Sequence, residues 1–375
     1  MSKGHFSKLT EIMRVLIVNN RVPASGIGRY ALQLSLSLVN NGNIHVDCFN
    51  WEGGLCEGLF QKALQLNNVA LLYAEEALRI LSQLIFVFRI PKGYPLYHIV
   101  SPALAFVSLI RRPSIITVHD LIPFIGPRSI TDFVIQKSMY FIKSADHIIC
   151  VSESTKNDLL RFINVDPRKL RIVYYGVDHD LFKPRDKLEA RKRLRLPLDK
   201  PIILNVGSEE PRKNIPTLLK AFKVLVNDVP DALLVRVGER TASMKSLINA
   251  LGLQSKVMYR KASPNEVALY YNAADLLAYP SYYEGFGNPP LEAMSSGLPV
   301  IAGNRTSIPE VVGDAGILLD PFDVDGFTYW MREVLTNEDL RARLSEAGYK
   351  RSLSFSWEKC ARETLEIYKE VLNEA

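Results

Sequence analysis

Short runs of aliphatic and β-branched residues recur along this 375-residue chain, and most are followed by a polar or glycine-containing loop and then by a helical pattern. A buried strand of a parallel sheet has this composition, and the connection to the next parallel strand is usually a helix. The repeat therefore predicts doubly wound α/β structure. We expect strands at residues 14–18, 44–49, 97–100, 114–118, 145–151 and 170–174, and again at 201–207, 232–238, 257–259, 276–279 and 299–302.

The two series of strands are separated by residues 183–200, which contain Pro184, Pro197 and eight Lys or Arg residues. Such a segment is typical of a linker, here with a short helix at 188–194. A chain of this length accommodates two domains. We therefore predict a first domain at 1–182, a linker at 183–200 and a second domain at 201–356.

The composition is that of a globular protein, with 47% apolar and 23% charged residues. No uncharged apolar run reaches the roughly 18 residues of a membrane span, and the first dozen residues lack the apolar core of a signal peptide. The four cysteines have no zinc-binding spacing and suggest the reduced thiols of a cytoplasmic protein. They are Cys48, Cys56, Cys150 and Cys360.

The net charge of +6 is unevenly distributed. Residues 1–182 contain 19 Lys/Arg and 14 Asp/Glu (+5), residues 183–200 contain eight and three (+5), and the rest contain 19 and 23 (−4). A basic first half is compatible with an anionic membrane surface or a phosphorylated acceptor, and a solvated surface without a partner explains it as well. We interpret the helical spacing at 59–89 as a core-packing helix rather than a membrane-surface helix, because a basic polar face is missing.

Two glutamates, Glu284 and Glu292, lie eight residues apart and flank two glycines and a proline pair. Proline fits the first turn of a helix, so we expect a helix from near Pro289 to Gly297, with Glu284 on the loop before it and Glu292 inside it. The backbone N–H groups at 285–288 would then lie at the positive end of the helix, which attracts anions. A nucleotide sugar, with a diphosphate between hydroxyl groups, fits this arrangement. A solvated helix start with incidental glutamates is the simpler alternative.

Polar residues also follow the predicted strands, where ligands of open α/β sheets bind. His119 and Asp120 follow the strand at 114–118, and Arg212 and Lys213 come shortly after the strand at 201–207. Arginine can fork onto a diphosphate and lysine can act as a point charge. Gly26-Ile27-Gly28 is expected in a loop after the first strand, where backbone N–H groups can approach a phosphate; a tight turn explains these glycines equally well.

These patterns resemble the retaining glycosyltransferases of the GT-B fold in glycosyltransferase family 4. The resemblance covers nearly the whole chain and is strongest over residues 201–320. It is carried mainly by Pro280-Ser281, Glu284-Gly285-Phe286-Gly287, Pro290-Leu291-Glu292-Ala293-Met294 and Gly297-Leu298-Pro299-Val300-Ile301. It implies two Rossmann-like domains facing each other across a cleft, with a final helix over about 357–375 that returns to the first domain.

The resemblance also implies roles for individual residues. Glu284 and His119 would contact the donor sugar, Glu292 would contact the ribose, and the Arg212–Lys213 pair would stabilise the leaving diphosphate. The predicted catalytic residues are His119, Glu284, Lys213 and Arg212. The predicted donor-binding residues are Gly26, Gly28, Gly207, Ser208, Arg260, Gly285, Phe286, Gly287, Asn288, Pro289, Leu291 and Glu292.

Two features depart from a simple match to the family. Much of the family has an arginine directly after the strand glycine, where this chain has Ser208, so Arg212 would supply the guanidinium from a shifted position. Asp178-His179-Asp180 matches the D-x-D pattern of metal-dependent glycosyltransferases. It lies at a predicted domain exit, and the family that the chain resembles needs no metal, so we predict no metal and no other cofactor.

We therefore predict a retaining hexosyltransferase of polysaccharide biosynthesis. Residues 118–121 and 210–214 resemble polysaccharide mannosyltransferases, which makes GDP-mannose the first expected donor and a UDP-sugar the second. The expected partners are the nucleotide sugar and a glycan, lipid-linked or small-molecule acceptor, and not nucleic acid. The expected location is the cytoplasm, with peripheral contact to the inner face of an anionic membrane left open. A nucleotide-sugar isomerase or epimerase and a non-catalytic sugar-nucleotide-binding subunit remain as alternatives.

Overall fold

The computed structural model describes residues 13–21, 25–40, 44–50, 88–125 and 130–374. They form two compact units. The first contains the described residues up to Val151, Thr155–Tyr174 and those from Trp357 onward, and the second contains Ser152–Ser154 and Tyr175–Ser356. The helix predicted at 59–89 lies outside the described residues except for its last two positions.

The first unit is built on a six-stranded parallel sheet with the strand order β2-β1-β3-β4-β5-β6. Its strands are β1 Met13–Asn19, β2 Ile44–Asn50, β3 Leu96–Ile99, β4 Ser114–Val118, β5 His147–Cys150 and β6 Leu170–Ile172. Its helices are α1 Gly26–Asn40, α2 Ile122–Ile125, α3 Ile130–Met139, α4 Glu153–Phe162 and the final helix Trp357–Glu374, with 3₁₀ helices at Pro102–Leu109, Tyr140–Ser144 and Pro167–Lys169.

The central strands of this sheet are buried on both faces, as expected for short aliphatic runs in a parallel sheet. The final helix packs against α1. Its Tyr368 hydroxyl lies 2.6 Å from Nδ1 of His98 on β3, and Nε2 of the same imidazole lies 2.7 Å from the Thr117 hydroxyl on β4. The Tyr30 hydroxyl of α1 lies 3.2 Å from that threonine. A buried polar chain therefore connects α1, two strands and the final helix.

The second unit is built on a second six-stranded parallel sheet, with the order β12-β11-β10-β7-β8-β9. Its strands are β7 Ile202–Val206, β8 Leu233–Val237, β9 Val257–Arg260, β10 Leu276–Tyr279, β11 Val300–Gly303 and β12 Ile317–Leu319. Its helices are α5 Lys187–Leu194, α6 Ile215–Asp228, α7 Ala242–Ala250, α8 Pro264–Ala273, α9 Asn288–Ser295, α10 Ile308–Val312, α11 Val324–Thr336 and α12 Glu338–Ser352, with 3₁₀ helices at Pro211–Lys213 and Gly313–Ala315.

Helix α5, inside the segment 183–200, packs against α8 in the second unit. Its Arg191 is 3% exposed and donates to the Ala273 carbonyl (2.8 Å) and to the Asp275 carboxylate (2.9 Å). The same carboxylate accepts the Ile202 N–H at 2.7 Å. This buried ion pair has its hydrogen bonds satisfied, which is the condition under which a buried charge is tolerated. It anchors α5 at the amino end of the second sheet.

The two parallel sheets confirm the predicted α/β class with two doubly wound domains. The strands β1 to β11 each overlap a predicted strand, with ends that differ by a few residues, whereas β12 at Ile317–Leu319 was not predicted. Among the helices in the described part of the chain, none combines the length and the apolar character that crossing a bilayer requires.

Candidate functional site

Two glycines meet at the carboxyl ends of β7 and β8. Gly207 has φ +130° and Gly238 has φ +154°. A Cβ at Gly238 would lie 2.3 Å from the carbonyl oxygen of Gly207, and the Gly207 N–H donates to the Val237 carbonyl at 2.9 Å. Only glycine fits both the backbone conformation and the close approach. The loop after β7 therefore begins with its backbone held against β8.

This loop leads into the 3₁₀ turn Pro211–Lys213, which carries the two predicted cations. The Arg212 carbonyl accepts the Tyr282 N–H at 2.9 Å, so the turn is tied to the loop that follows β10. The Lys213 side chain folds back over the strand end, with its Cε 3.8 Å from the position that a Cβ of Gly207 would occupy. The two loops thus bring residues separated by some seventy positions to one edge of the sheet.

The Glu284 carboxylate is the centre of this edge. It is 8% exposed. Its Oε1 accepts from Lys213 Nζ (2.6 Å), from the Tyr279 hydroxyl (2.7 Å) and from the Ser281 hydroxyl (2.6 Å), and its Oε2 accepts from Arg212 Nη1 (2.8 Å). The Lys213 ammonium also donates to the Tyr279 oxygen at 2.8 Å. Four donors therefore converge on one buried carboxylate.

Electrostatics keep this carboxylate ionised. Burial raises the pKa of Glu284, but the charges of Lys213 and Arg212 and the hydrogen bonds from Lys213 and Ser281 outweigh burial and hold the pKa below its usual range. Burial lowers the pKa of Lys213, the nearby guanidinium adds to this, and the carboxylate opposes it. Burial together with the Glu284 charge raises the pKa of Tyr279, which stays a hydroxyl donor.

The same cations could bind a diphosphate. Guanidinium and ammonium groups form strong charge-assisted hydrogen bonds with phosphate oxygens. Arg212 also pairs through Nε with the half-exposed Glu210 at 2.8 Å. A diphosphate that approaches Arg212 and Lys213 therefore competes with two carboxylates, of which only Glu284 is buried.

Helix α9 begins at Asn288, one residue before the predicted start, with Glu284 on the preceding loop and Glu292 inside the helix as predicted. Its N-cap Gly287 has φ +120° and offers no side-chain cap. A Cβ at that position would lie 3.0 Å from Cδ1 of Ile308. Pro289 and the next residue occupy the first turn, where no N–H is needed. The helix start therefore presents backbone rather than side chains.

The other predicted donor-binding residues of this helix differ in burial. Glu292 is 8% exposed and accepts a hydrogen bond from the Tyr271 hydroxyl at 2.8 Å. The Leu291 side chain is buried, and the Phe286 ring is buried with its centroid 4.9 Å from that of Tyr175. A donor contact at Leu291 or Phe286 would therefore have to use the backbone.

Two further predicted residues flank the β7 loop. Ser208 is exposed and donates to Glu210 Oε1 at 2.9 Å. Arg260 ends β9, where its Nη1 donates to the Tyr259 carbonyl at 3.0 Å. Ser208 therefore shares the carboxylate of Glu210 with Arg212. Among the described hydrogen bonds, none joins the Arg260 side chain to the Glu284 cluster.

The sequence interpretation missed a buried cluster beneath the Gly207 turn. Arg236 on β8 is fully buried, hydrogen bonds to Asn205 and donates through Nη2 to the Gly207 carbonyl at 3.2 Å. Glu209 accepts a hydrogen bond from the Tyr259 hydroxyl, and burial together with this bond raises the pKa of the tyrosine to about 12. The sequence did contain one indication of this cluster, a charged residue inside an otherwise apolar strand. A fully buried arginine needs hydrogen-bonding partners, so polar groups had to lie close to it.

His119 lies at the carboxyl edge of the first unit's sheet. It is 6% exposed, and its Nε2 donates to the Val100 carbonyl at 2.6 Å. Burial lowers the pKa of His119 to about 4, although the hydrogen bond opposes this. The Tyr30 ring packs edge-on against the imidazole with the centroids 5.0 Å apart. The imidazole is therefore neutral near pH 7, with the proton on Nε2.

The glycine pair that follows β1 lies in a helix rather than in a loop, which corrects the prediction. Helix α1 begins at Gly26, and the Gly28 N–H donates to the Ser25 hydroxyl at 3.0 Å. A Cβ at Gly26 would meet no atom within 4 Å. The serine cap lets the helix start earlier than the glycines alone suggest. The pair therefore lies in the first turn of α1.

The D-x-D pattern forms a local turn. Oδ1 of Asp178 accepts the N–H groups of Asp180 (3.1 Å) and Leu181 (3.0 Å). His179 between them lies 3.0 Å from the Ser295 hydroxyl. Within the described ranges, no three His, Cys, Asp or Glu side chains are arranged to hold a metal ion.

Comparison with known families gives matches over both units. Residues 24–181 match the model described as Glycosyltransferase Family 4, and residues 186–351 match the model described as Glycosyl transferases group 1. The chain is 33% identical over 268 residues to the O-antigen chain mannosyltransferase B of Escherichia coli, which covers 68% of this chain and 70% of that protein.

Another relative is the D-inositol 3-phosphate glycosyltransferase of Nocardioides sp. It is 31% identical over 248 residues, which is 61% of this chain and 54% of the relative, so the match spans about half of that protein's length. Among solved structures, the sucrose-phosphate synthase of Thermosynechococcus elongatus superposes with a TM-score of 0.75 over 97% of this chain and all of that one. At 23% identity this likeness shows the fold.

Proposed function

The chain belongs to the GT-B glycosyltransferases of the family 4 type, and from that premise we propose that it transfers a hexose from a nucleotide sugar, with retention of the anomeric configuration. The proposed acceptor is a glycan, a lipid-linked sugar or a small molecule. Glycosyltransferase activity follows from the family, whereas the donor, the acceptor and the stereochemistry are parts of the proposal.

One observation carries the proposal: the Glu284 carboxylate with Arg212 and Lys213 at the carboxyl edge of the second sheet. In the proposed complex the two cations bind the diphosphate of the donor. As the sugar–phosphate bond breaks, negative charge grows on the diphosphate, and cations already in place stabilise that charge. Removing one such donor costs on the order of 3–4 kcal/mol of transition-state stabilisation.

Glu284 has two tasks in this proposal. In the structure it holds both cations in place. In the complex, phosphate oxygens take over part of the cations' hydrogen bonding, and the freed carboxylate lone pairs accept hydroxyl groups of the donor sugar. Glu292 would accept the ribose hydroxyls. The helix start at Gly287 would direct backbone N–H groups toward the anion, as helix N-termini do in other phosphate sites.

The neutral His119 would act as a hydrogen-bonding group toward the donor sugar rather than as a cation. In this proposal neither Glu284 nor Glu292 acts as a nucleophile, because both accept hydroxyl groups of the donor. We therefore propose front-face displacement, in which the leaving phosphate accepts the acceptor's proton and the new glycosidic bond forms on the face that the phosphate leaves.

GDP-mannose is the proposed donor. The sequence resemblance at 118–121 and 210–214 supports it, and so does the likeness to a mannosyltransferase. A UDP-sugar is the alternative, and the likeness to an inositol-phosphate glycosyltransferase keeps the acceptor class broad. We propose that the reaction needs no metal, since Arg212 and Lys213 supply the positive charge that a metal would otherwise supply.

The proposal is tested with the purified chain and a panel of nucleotide sugars. A bound donor raises the melting temperature, and transfer or slow hydrolysis releases the nucleoside diphosphate. We expect GDP-mannose to give both effects in the wild type and a Lys213→Met variant to lose nucleotide release by roughly 100-fold or more. Conversion of the donor into another nucleotide sugar, without any acceptor and without release of the nucleoside diphosphate, would indicate an isomerase or epimerase. Binding without release, equal in wild type and variant, would indicate a non-catalytic subunit.

A further inference from the structure

Two aromatic side chains are stacked on each other at the carboxyl edge of the second sheet. Tyr282 lies on the loop after β10 and Phe322 on the loop after β12, with the ring centroids 5.6 Å apart and the ring planes inclined by 25°. Tyr282 is half-buried, whereas Phe322 is 61% exposed, the largest value among the exposed large apolar side chains of the second unit. We call these two residues the aromatic platform.

Hydrogen bonds attach both loops of the aromatic platform to the turn that carries the two cations. The Tyr282 N–H donates to the Arg212 carbonyl at 2.9 Å. The Asn214 side chain, at the end of the same turn, donates to the Pro321 carbonyl at 2.7 Å, one residue before Phe322. A single exposed phenylalanine on a surface needs no explanation. This one is held in a stacked pair beside the candidate site, so its exposed face has a fixed position.

Exposed polar groups lie next to the aromatic platform. Asp320 accepts the Phe322 N–H through Oδ1 at 2.9 Å and pairs through Oδ2 with Arg305 at 2.7 Å. The two side chains of this ion pair are 45% and 57% exposed. Asn304 is also exposed, and its N–H donates to the Leu319 carbonyl at 2.7 Å, which joins the loops after β11 and β12. A flat apolar face is therefore bordered by a carboxylate, a guanidinium and an amide.

This combination of groups complements a sugar ring. A pyranose has an apolar face of C–H groups and hydroxyl groups around its edge. Aromatic rings offer a large, rigid contact area for such a face, and carboxylate, guanidinium and amide groups can accept from or donate to the hydroxyl groups. Binding sites for small molecules generally combine aromatic side chains with a few polar groups in this way. A lipid chain would leave the polar groups without partners.

The order of the strands places the aromatic platform on the sugar side of the candidate site. Strands β12, β11, β10 and β7 lie side by side, and their loops carry, in that order, Phe322, Arg305, Glu284 and the Arg212–Lys213 pair. In the proposed function Glu284 accepts hydroxyl groups of the donor sugar, so the reacting hydroxyl of the acceptor has to approach the same place. The rest of the acceptor can then extend over the loops after β11 and β12.

We propose that the aromatic platform is a subsite for a pyranose ring of the acceptor. The acceptor would then contain at least two sugar rings, one with the reacting hydroxyl and one stacked on Phe322. This inference rests on the proposed function, because the position of the reacting hydroxyl is taken from it. It narrows the acceptor from a glycan, a lipid-linked sugar or a small molecule to a molecule with a saccharide chain.

The test is calorimetric titration and saturation-transfer NMR of the purified chain with mannotriose and maltotriose, with mannose and glucose as single-ring references. The wild type should bind at least one trisaccharide more tightly than the corresponding monosaccharide. A Phe322→Ala variant should lose roughly 10-fold or more of that affinity, because the exposed ring face is removed. A Phe322→Trp variant keeps an aromatic face and should retain the affinity. The melting temperature should stay the same in both variants, since this side chain is mostly exposed.

Tyr329→Ala is the matched control. Tyr329 is also an exposed aromatic residue of the second unit (47%), and its ring packs against Trp330 with the centroids 5.2 Å apart, but it lies on α11. This variant should bind the trisaccharide as the wild type does. GDP and UDP should bind Phe322→Ala and the wild type equally, because the aromatic platform lies on the side of the cations away from β9.

The inference and the proposed function can fail separately. A wild type that releases nucleoside diphosphate from a nucleotide sugar but binds neither trisaccharide would overturn the inference alone, and so would equal trisaccharide binding by Phe322→Ala and the wild type. A loss of GDP or UDP affinity in Phe322→Ala would assign the ring to the nucleobase and would also overturn it. Trisaccharide binding that depends on Phe322, in a chain that turns over no nucleotide sugar, would contradict the proposed function and leave the saccharide site standing.

Discussion

Replacing Glu284 with glutamine tests the central cluster most directly. The amide keeps the size of the side chain but removes the negative charge that lies 2.6 Å from Lys213 Nζ and 2.8 Å from Arg212 Nη1. Those two cations are only 11% and 17% exposed. They would then be left together, largely buried, without a buried counter-ion.

The expected cost follows from this burial. Removing one partner of a buried ion pair typically destabilises a protein by about 3–5 kcal/mol, because the remaining charge stays desolvated. We expect a loss in this range for the second unit, and a fall in its melting temperature on the order of 10 °C. Sugar transfer should fall by roughly 100-fold or more. Binding of the free nucleoside diphosphate should be retained or become tighter, since the cations no longer share their hydrogen bonds with the carboxylate.

Glu210→Gln is the matched control. It removes a carboxylate from the same Arg212, at 2.8 Å, but this glutamate side chain is 50% exposed. An exposed pair contributes less than about 1 kcal/mol, so its melting temperature should change little. Differential scanning calorimetry and calorimetric titration with GDP and UDP measure both effects. Equal melting temperatures for the two variants, or a lost diphosphate affinity in Glu284→Gln with normal stability, would refute the reasoning.

Three further outcomes are expected. Burial lowers the pKa of His98 to about 3 and of His119 to about 4, so below pH 6.5 the unfolded chain binds protons that the folded chain excludes. The free energy of unfolding, measured with urea, should therefore fall by ~2 kcal/mol per histidine between pH 6.5 and 5. A free energy that does not change over this pH range would contradict the prediction. Gly238→Ala, with its Cβ 2.3 Å from the Gly207 oxygen, should destabilise the second unit by at least ~2 kcal/mol, whereas Gly26→Ala, with no atom within 4 Å, should be nearly neutral in the same melts. EDTA should change the transfer rate by less than about twofold, and abolished activity would restore Asp178 and Asp180 as metal candidates.

The candidate site was only partly predictable from the sequence. Glu284, Arg212 and Lys213 were singled out by their positions after predicted strands, and the structure brings them into one hydrogen-bonded cluster. Their pairing with one another was not foreseen, because the spacing of the glutamates indicates a helix start and carries no information about the loop after β7. Tyr279 was missed as a ligand of Glu284, since it ends an apolar strand like any core residue.

For the glycine pair of α1, the predicted secondary structure itself was wrong. A G-x-G after a strand indicates a loop, but Ser25 caps the helix at 3.0 Å and starts it at Gly26. Arg236 shows a third case, since its position in β8 was evident while its partners on the Gly207 loop were not. In each case a local pattern identified the element, and a contact from another part of the chain decided its role.

The sequence by itself determined the fold class, because recurring aliphatic runs can bury both faces only as the central strands of parallel sheets, with helices between them. It also determined which residues stand at strand ends. The tertiary structure alone decided that one buried carboxylate holds two cations and that an arginine beneath a glycine turn supports the β7 loop. These arrangements depend on distances between residues remote in sequence, and hydrophobic periodicity records burial along a segment but not the partners that segment meets.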